Sequence, residues 1–402
     1  MKTELISTDI ARAAEIIKGG GLVAVPTETV YGLAGNGLDE NAVKNIYEVK
    51  GRPDVKPLSL MVPGKEAMGE YCEDVPPAAL ALAEAFWPGP LTIILKSKPC
   101  VPEIVRAGGI TVGLRCPDHE KTLALLRECQ VPLAAPSANP SGAPSPKTAG
   151  KVMEYFDGRI AAVLDGGECG IGTESTIIDL STPLGPILRK GALSEAEINA
   201  ALTDSITLVG ITGGTGCGKT TALNVLENMG ALIVDADEVY HHLCENSPEM
   251  RAELIERFGD VYSGNTLDRK ALGGIVFSDP AALSDLNMIT HKYVGLEIEA
   301  RIARHVKAGG ELAAIDAIGL LEGRFAKRTA FNVAITAPTE ARVQRLLARE
   351  GISEAYARSR IAAQHSNEYF EEHCDYTLHN GGTRAEFECV CNKFFTEVLK
   401  IG

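Results

Sequence analysis

The chain has 402 residues, room for two or three domains, and 45% of them are apolar, enough for a packed core in each. Its formal net charge is −14, with the acidic excess shared by both halves, so neither half reads as a basic nucleic-acid module and no stable nucleic-acid binding is expected. No apolar run reaches the ~20 residues of a membrane span, the N-terminus lacks the basic start and apolar core of a secretory signal, and the Cys residues form no C-x-x-C pair. The chain therefore reads as a cytoplasmic protein with reduced thiols and no membrane partner.

In chain order, residues 9–18 carry a helical pattern that stops at Gly19-Gly20-Gly21. A buried strand at 22–25 runs into Pro26. Residues 40–50 place Val43, Ile46 and Tyr47 on one helical face before Gly51. Further strand patterns fall at 58–62, 91–95, 111–114, 161–164 and 176–180. This is an α/β domain with a twisted mixed sheet over residues 1–192, without regular βα alternation. Residues 193–205 read as a short helix plus linker.

Chemistry-bearing residues punctuate this half. Lys50-Gly51-Arg52-Pro53 and then Lys56 put cations on a short Gly/Pro loop, either an exposed charged turn or a cradle for a polyanion such as triphosphate. Arg115 and Arg189 end strand patterns, where side chains can converge on a cleft, and Ser137, Ser141 and Ser175 supply hydroxyls. His119 is the sole His of the first 200 residues, so no Ser/His/Asp set is available. Positioning and charge stabilisation fit better than covalent catalysis.

These residues sit in the strings P-T-E-T-V-Y-G-L (26–33), W-P-G-P-L-T (87–92), T-V-G-L-R (111–115), A-P-S-A-N-P-S-G (135–142) and E-S-T-I-I-D (174–179). From about residue 8 to 192 the chain resembles the YrdC-like threonylcarbamoyl-AMP synthase family. The resemblance implies that L-threonine and bicarbonate form a carbamate whose oxygen attacks the α-phosphorus of ATP, with Mg²⁺, releasing diphosphate. The product would pass to tRNA-modification proteins. By position, Thr27, Arg115 and Ser175 would contact threonine, and Lys50, Arg52, Lys56, Thr111, Ser137 and Arg189 would contact ATP. Met61 stands where longer members carry a His.

Residues 206–402 alternate more regularly: a strand at 206–211, a helix at 219–229, a strand at 231–234 and a helix at 236–244 form a βαβ unit. A helix-rich stretch at 247–308 shows no strong strand. Strands follow at 312–315 and 331–335, then helices at 338–349, 353–366 and 384–400. The pattern predicts a P-loop kinase with a parallel sheet, a helical acceptor-binding insertion and a lid. Between the first strand and helix lies G-x-x-x-x-G-K-T, Gly213 to Thr220. Backbone N–H groups of such a loop ligate phosphate oxygens, Lys219 reaches the β- and γ-phosphates, and Thr220 ligates Mg²⁺. The next strand ends in Asp235-Ala236-Asp237, where one carboxylate can cap the helix and the other accept a proton from an acceptor hydroxyl. Arg342, Arg345 and Arg349 recur on one helical face, with Arg358 and Arg360 on the next helix, either as a lid over phosphates or as a solvated face. His241 and His242 read as surface, and Cys389 and Cys391 as packing residues. The thiol of Cys217, beside a helix N-terminus, is expected to have a lowered pKa and to oxidise readily.

The P-loop, V-D-A-D (234–237), Phe258-Gly259, Leu267-Asp268-Arg269, I-V-F (275–277), A-P-T-E-A-R-V-Q-R (337–345), Ala362-Ala363-Gln364 and Asn380-Gly381 together resemble dephospho-CoA kinase. The resemblance implies phosphorylation of the ribose 3′-hydroxyl of dephospho-CoA, with Asp237 as base and Thr215, Gly216, Cys217, Gly218, Lys219 and Thr220 holding ATP. It also implies Arg349 in the lid and Asn380 near the adenine. His291-Lys292 replaces the family's His-Pro, and Asp316-Ala317-Ile318-Gly319-Leu320-Leu321-Glu322 departs from its Asp-x-Pro-Leu-Leu-x-Glu, both on the acceptor side. The whole reads as a bifunctional enzyme. Its alternatives are a first half that binds nucleotide or RNA without catalysis, or a kinase with another nucleoside or small-metabolite acceptor.

Overall fold

A computed structural model describes residues 2–52 and 56–400, so Pro53 of the basic loop lies outside the described residues. The chain divides into two compact units. One runs to Leu202 and includes Lys307–Gly309; the other comprises Thr203–Val306 and the chain from Gly310 on.

Ten strands of the first unit form one mixed sheet: β1 (Glu4–Ile6), β2 (Val23–Val25), β3 (Gly32–Asn36), β4 (Ser59–Met61), β5 (Leu91–Lys96), β6 (Thr111–Arg115), β7 (Leu133–Ala134), β8 (Ala162–Leu164), β9 (Thr176–Asp179) and β10 (Ile187–Arg189). Their order is β1-β8-β2-β3-β7-β4-β6-β5-β9-β10. Parallel pairs such as β4–β6 and β5–β9 alternate with antiparallel ones such as β5–β6 and β3–β7. Helix Ile10–Lys18 buries Ala13, Ala14 and Ile17 against this sheet, in a core with Val23, Val25, Leu133 and Leu164. Asp9 caps it by accepting from Arg12 N at 2.9 Å, satisfying one of the N–H groups that a helix start leaves open.

The second unit holds an all-parallel sheet of β11 (Thr207–Thr212), β12 (Leu232–Asp235), β15 (Leu312–Asp316), β16 (Phe331–Thr336) and β17 (Tyr376–His379), in the order β12-β15-β11-β16-β17. The first strand is thus central, and the sheet is extended to one side of it by β15 and β12 and to the other by β16 and β17. In such sheets ligands bind in the crevice beyond the strand ends at that point. Two corrections to the predicted elements follow. The stretch after 247 contains a short hairpin of β13 (Tyr262–Ser263) and β14 (Thr266–Leu267), too brief to show a period. The helix expected at 353–366 is shorter, Glu354–Ala362, and a separate helix, Asn367–His373, follows it, capped by Ser366, whose hydroxyl accepts from Tyr369 N. The core joins Val209, Ile211, Leu226, Val333 and Ile335 to Phe387, Cys391 and Phe395 of the last helix, Arg384–Leu399. Cys391 is therefore a packing residue, and Cys389 is exposed.

Phe395 is fully buried in that core. Phe395→Ala should cost about 3–5 kcal/mol through lost contacts and a residual cavity. In urea the second unit's unfolding transition should move to lower concentration while the first unit's stays in place.

Candidate active sites

In the first unit, helix Glu40–Lys50 ends where Gly51 turns left-handed at φ +59°, a conformation that glycine adopts without a Cβ clash. The stop sends Lys50 inward. Its ammonium is buried and donates to the carbonyl oxygens of Ser137 and, at 2.5 Å, Asn139. Burial above all, and nearby Arg52, push its pKa down to about 8 against the pull of Glu174. Lys50 thereby pins the loop after β7 and holds Ser137 at a cavity of about 220 Å³, whose wall also includes Arg52, Arg115, Glu174, Ser175 and Arg189.

Three arginines from distant parts of the chain converge there. Arg52 donates to Pro57 O at 3.1 Å, and its buried Nε has no hydrogen-bond partner among the described residues. Arg115, at the end of β6, is paired with Glu28 at 2.7 Å and donates to the Thr29 hydroxyl at 2.8 Å. Arg189, at the end of β10, reaches Ser175 Oγ at 2.9 Å and Glu174 at 2.5 Å. Ser175 also shares a 2.9 Å hydrogen bond with Thr92.

Four of the residues assigned to this site do not line the cavity. Thr27 is buried and spends its hydroxyl on Val30 O at 2.7 Å and on Thr29 at 2.8 Å. Lys50 stands behind the wall, as described. Lys56 is exposed. Thr111 begins the strand that Arg115 ends, four residues and roughly 13 Å away. Glu28, Thr29, Thr92 and Glu174 are the partners that sequence reading left without a role, although E-S-T-I-I-D already contained Glu174.

In the second unit the P-loop fills the crevice at the end of β11. Its glycines are required by close packing: a Cβ on Gly218, where φ is +105°, would lie 2.1 Å from Asn380 Nδ2, and one on Gly213, at φ +133°, 2.2 Å from Ile335 O. A cavity of about 380 Å³ is lined by Thr215, Gly216, Cys217, Gly218, Lys219 and Thr220, with Asp235, Asp237, Asp316, Arg345, Arg349 and Arg360 around them. Asp235 is the helix cap, accepting from Asp237 N at 2.8 Å and Glu238 N at 3.1 Å. That leaves Asp237 for the cavity, and it also borders a second cavity of about 550 Å³ lined by the helical insertion.

The five arginines separate into three roles. Arg342 donates to Thr215 O at 2.9 Å and Arg345 to the carbonyls of Gly216 and Cys217, both at 3.2 Å, so these two brace the P-loop from behind. Arg349 and Arg360 line the cavity with Glu350 held between them. Arg358 pairs with Glu340 and Glu354 on an exposed face. Asn380, expected near the adenine, is instead buried against the P-loop: its Nδ2 donates to Cys217 O at 2.9 Å and its Oδ1 accepts from Arg345 at 3.0 Å. Asp316 ends β15 at 3.4 Å from Lys219 Nζ, without a hydrogen-bond partner for that oxygen among the described residues. Burial pushes its carboxyl up to about 6 against the pull of Lys219. Its site role was masked because it opens the string that departs from the family pattern. His241 and His242 are exposed.

The expected reactivity of Cys217 is corrected. The residue is buried, and burial pushes its thiol up, outweighing Lys219 and a backbone hydrogen bond, which pull it down. Peroxide treatment should therefore leave nucleotide affinity at the P-loop unchanged; a loss reversed by thiol reductant would contradict this. The Asp316 carboxyl titrates near ~4 when unfolded and at about 6 when folded. The folded state thus binds more protons between these values, and its stability falls as pH rises across them. Asp316→Asn should remove that decline from the urea midpoint of the second unit; parallel pH profiles for variant and wild type would refute it.

Both halves of the chain match known families. Residues 15–191 match the Sua5/YciO/YrdC family model, described as telomere recombination, and residues 207–386 match the model for dephospho-CoA kinase. The threonylcarbamoyl-AMP synthase of Pyrococcus abyssi is 48% identical over 190 residues, 47% of this chain and 56% of that protein, so the chain spans little more than half of that relative. The threonylcarbamoyl-AMP synthase of Bacillus subtilis is 44% identical over 268 residues, 64% of this chain and 73% of that protein. A crystal structure of P. abyssi Sua5 complexed with L-threonine aligns over 80% of this chain and 93% of its own at 28% identity, with a TM-score of 0.49. The chain belongs to the threonylcarbamoyl-AMP synthase family, and its second half is a dephospho-CoA kinase domain.

Proposed function

We propose that the chain is a bifunctional enzyme acting on ATP at both sites. The first unit joins L-threonine, bicarbonate and ATP into threonylcarbamoyl-AMP and diphosphate; the second transfers the γ-phosphoryl group of ATP to the 3′-hydroxyl of dephospho-CoA. The observation that carries the first reading is the convergence of Arg52, Arg115 and Arg189 with Ser137 and Ser175 on one cavity. The one that carries the second is Asp237, shared between the P-loop cavity and the larger cavity beside it.

In the first reaction the carbamate oxygen of N-carboxy-threonine attacks the α-phosphorus and diphosphate leaves with the electron pair of the broken P–O bond. Negative charge grows on the α-phosphate and on the leaving group, where Arg52, whose buried Nε has no partner among the described residues, and Arg189 stabilise it. Arg115 and Ser175 hold the amino acid. Burial lowers the pKa of Arg189, yet a guanidinium stays protonated at neutral pH.

In the second reaction Asp237 takes the acceptor's hydroxyl proton as that oxygen attacks the γ-phosphorus, and ADP leaves. The P-loop N–H groups and Lys219 hold the phosphates, with Arg349 and Arg360 at the cavity edge where a closing lid would meet them. Hard oxygen donors, the Thr220 hydroxyl with the Asp316 and Asp237 carboxylates, line this cavity and suit Mg²⁺. Among the described residues no cluster of three or more His, Cys, Asp or Glu could hold a metal by itself, so the ion would arrive with ATP and supply charge neutralisation at its phosphates. Among them, too, no helix is long and apolar enough to cross a membrane.

The two activities release different products, so one preparation tests both. Lys219→Ala should abolish dephospho-CoA-dependent ADP release, by a factor of about 10³, and leave threonine- and bicarbonate-dependent diphosphate release intact. Arg52→Ala should do the reverse, with a loss of about 10²-fold or more. Loss of both products from either change would rule out independent sites, and wild-type tRNA retention without diphosphate release would favour a binding module.

A further inference from the structure

The cavity beyond Asp237 lies between the long helix Pro280–Lys307 and the loop after β15. Much of its wall is apolar, with Met288, Ile298, Leu320 and Phe325, but Lys292 and Arg324 also line it. The two cations are not equivalent. The Lys292 ammonium sits 2.7 Å from Glu253, which also accepts from the Tyr293 hydroxyl at 2.8 Å, so its charge is locally matched. Arg324 Nη2 lies 2.9 Å from Glu299, but that carboxylate is buried and also binds Arg328. Arg328 is also met by Asp204 at 2.7 Å, so the two guanidinium groups face two carboxylates; what sets Arg324 apart is its place on the cavity wall with Glu299 along one edge.

The fold also makes room for this guanidinium. Gly295 stands inside the long helix, where glycine is a poor helix former. A Cβ there would lie 2.4 Å from Arg324 Nε and 2.5 Å from Cζ. The guanidinium therefore rests directly on the helix backbone, with the Phe325 ring 5.2 Å away and Glu299 fixing one edge. A planar fork with five N–H donors held in place in a mostly apolar cavity is suited to phosphate oxygens. Orientation is fixed before the ligand arrives, so little rotamer entropy is lost on binding.

We infer that Arg324 is the anion anchor of the acceptor site: it binds the diphosphate arm of the acceptor while Asp237, at the edge shared with the P-loop cavity, faces the hydroxyl. This rests on the acceptor reading proposed above. It makes Arg324 a specificity determinant that selects phosphate-bearing nucleotides over bare nucleosides. The motif reading missed it because it lies just past the string that departs from the family pattern.

The test is calorimetric titration of dephospho-CoA, and separately of adenosine, into the full chain saturated with a non-hydrolysable ATP analogue. In Arg324→Met the affinity for dephospho-CoA should fall about tenfold or more, that for adenosine should stay within about twofold, and Arg324→Lys should recover part of the loss. Glu299 keeps Arg328 in the variant, so the unit should fold; an unchanged melting temperature verifies it. A role confined to packing would weaken both ligands alike and would overturn the anchor. Equal dephospho-CoA affinity in wild type and Arg324→Met would overturn it while leaving the acceptor reading in place. Failure of the wild type to bind dephospho-CoA at all would overturn both.

Discussion

The carbonyl oxygens of Thr215, Gly216 and Cys217 all accept hydrogen bonds from side chains behind the P-loop, from Arg342, Arg345 and Asn380. A peptide unit carries its N–H on the side opposite its C=O, so a carbonyl fixed toward the protein turns the following N–H toward the crevice. The anion site thus depends on a supporting layer behind the loop, of which Arg345 also reaches the cavity wall. The partners in this layer matter. Arg342 gives its hydrogen bonds to a carbonyl and to the Gln364 amide at 3.0 Å, rather than to a carboxylate. Burial lowers its pKa without bringing it near neutrality, so its charge persists and adds to the field at the phosphate position. The glycines follow from the same layer: with Asn380 and Arg342 packed this close, a Cβ on Gly218 or Gly214 would collide with them.

The first unit reaches a similar result without a P-loop. Lys50 plays the part of Arg342, binding the carbonyls of Ser137 and Asn139 and leaving the Ser137 hydroxyl at the cavity. Around it the arginines differ in how far their charge is spent. Arg115 shares its charge with Glu28 in a nearly buried pair, and Arg189 with Glu174 in a half-exposed one, whereas Arg52 meets a single carbonyl oxygen. A buried ion pair gains little net stability because both ions are desolvated. Its value here is geometric, since it fixes Arg115 at the end of β6. Among the described residues, charge at the cavity is therefore least matched at Arg52 and most matched at Arg115.

Residue type and local spacing made much of this legible. The P-loop, its flanking strand and helix, the Asp235–Asp237 pair and the three synthase-side arginines all follow from patterns a few residues long. What stayed hidden depends on where a side chain points across the fold. Lys50, Arg342 and Asn380 have the residue types of ligand contacts and sit in the right segments, yet they turn to backbone carbonyls instead of the cavity, and Arg345 binds such carbonyls while also lining the cavity. Thr111 and Arg115 occupy one short strand, but only its far end reaches the site. The missed strand β7 (Leu133–Ala134) is two residues long and cannot show a period; it exists because neighbouring strands supply its hydrogen bonds.

The acidic balance of the chain looks ill suited to two sites for ATP, a polyanion, but net charge counts surface and interior alike. Lys50 and Arg342 are almost wholly buried, and Arg115 nearly so, so their charge acts over short distances through a poorly screened interior. The carboxylates at the cavity walls, Glu174 in one unit and Asp316 in the other, are each met by a cation, Arg189 and Lys219. Exposed acids elsewhere are screened by salt within about 8–10 Å. An acidic surface over cationic interiors also discourages indiscriminate binding of nucleic acid, whose backbone would meet the surface first. Net charge therefore says little about these two cavities, because several of the cations that line or support them are buried.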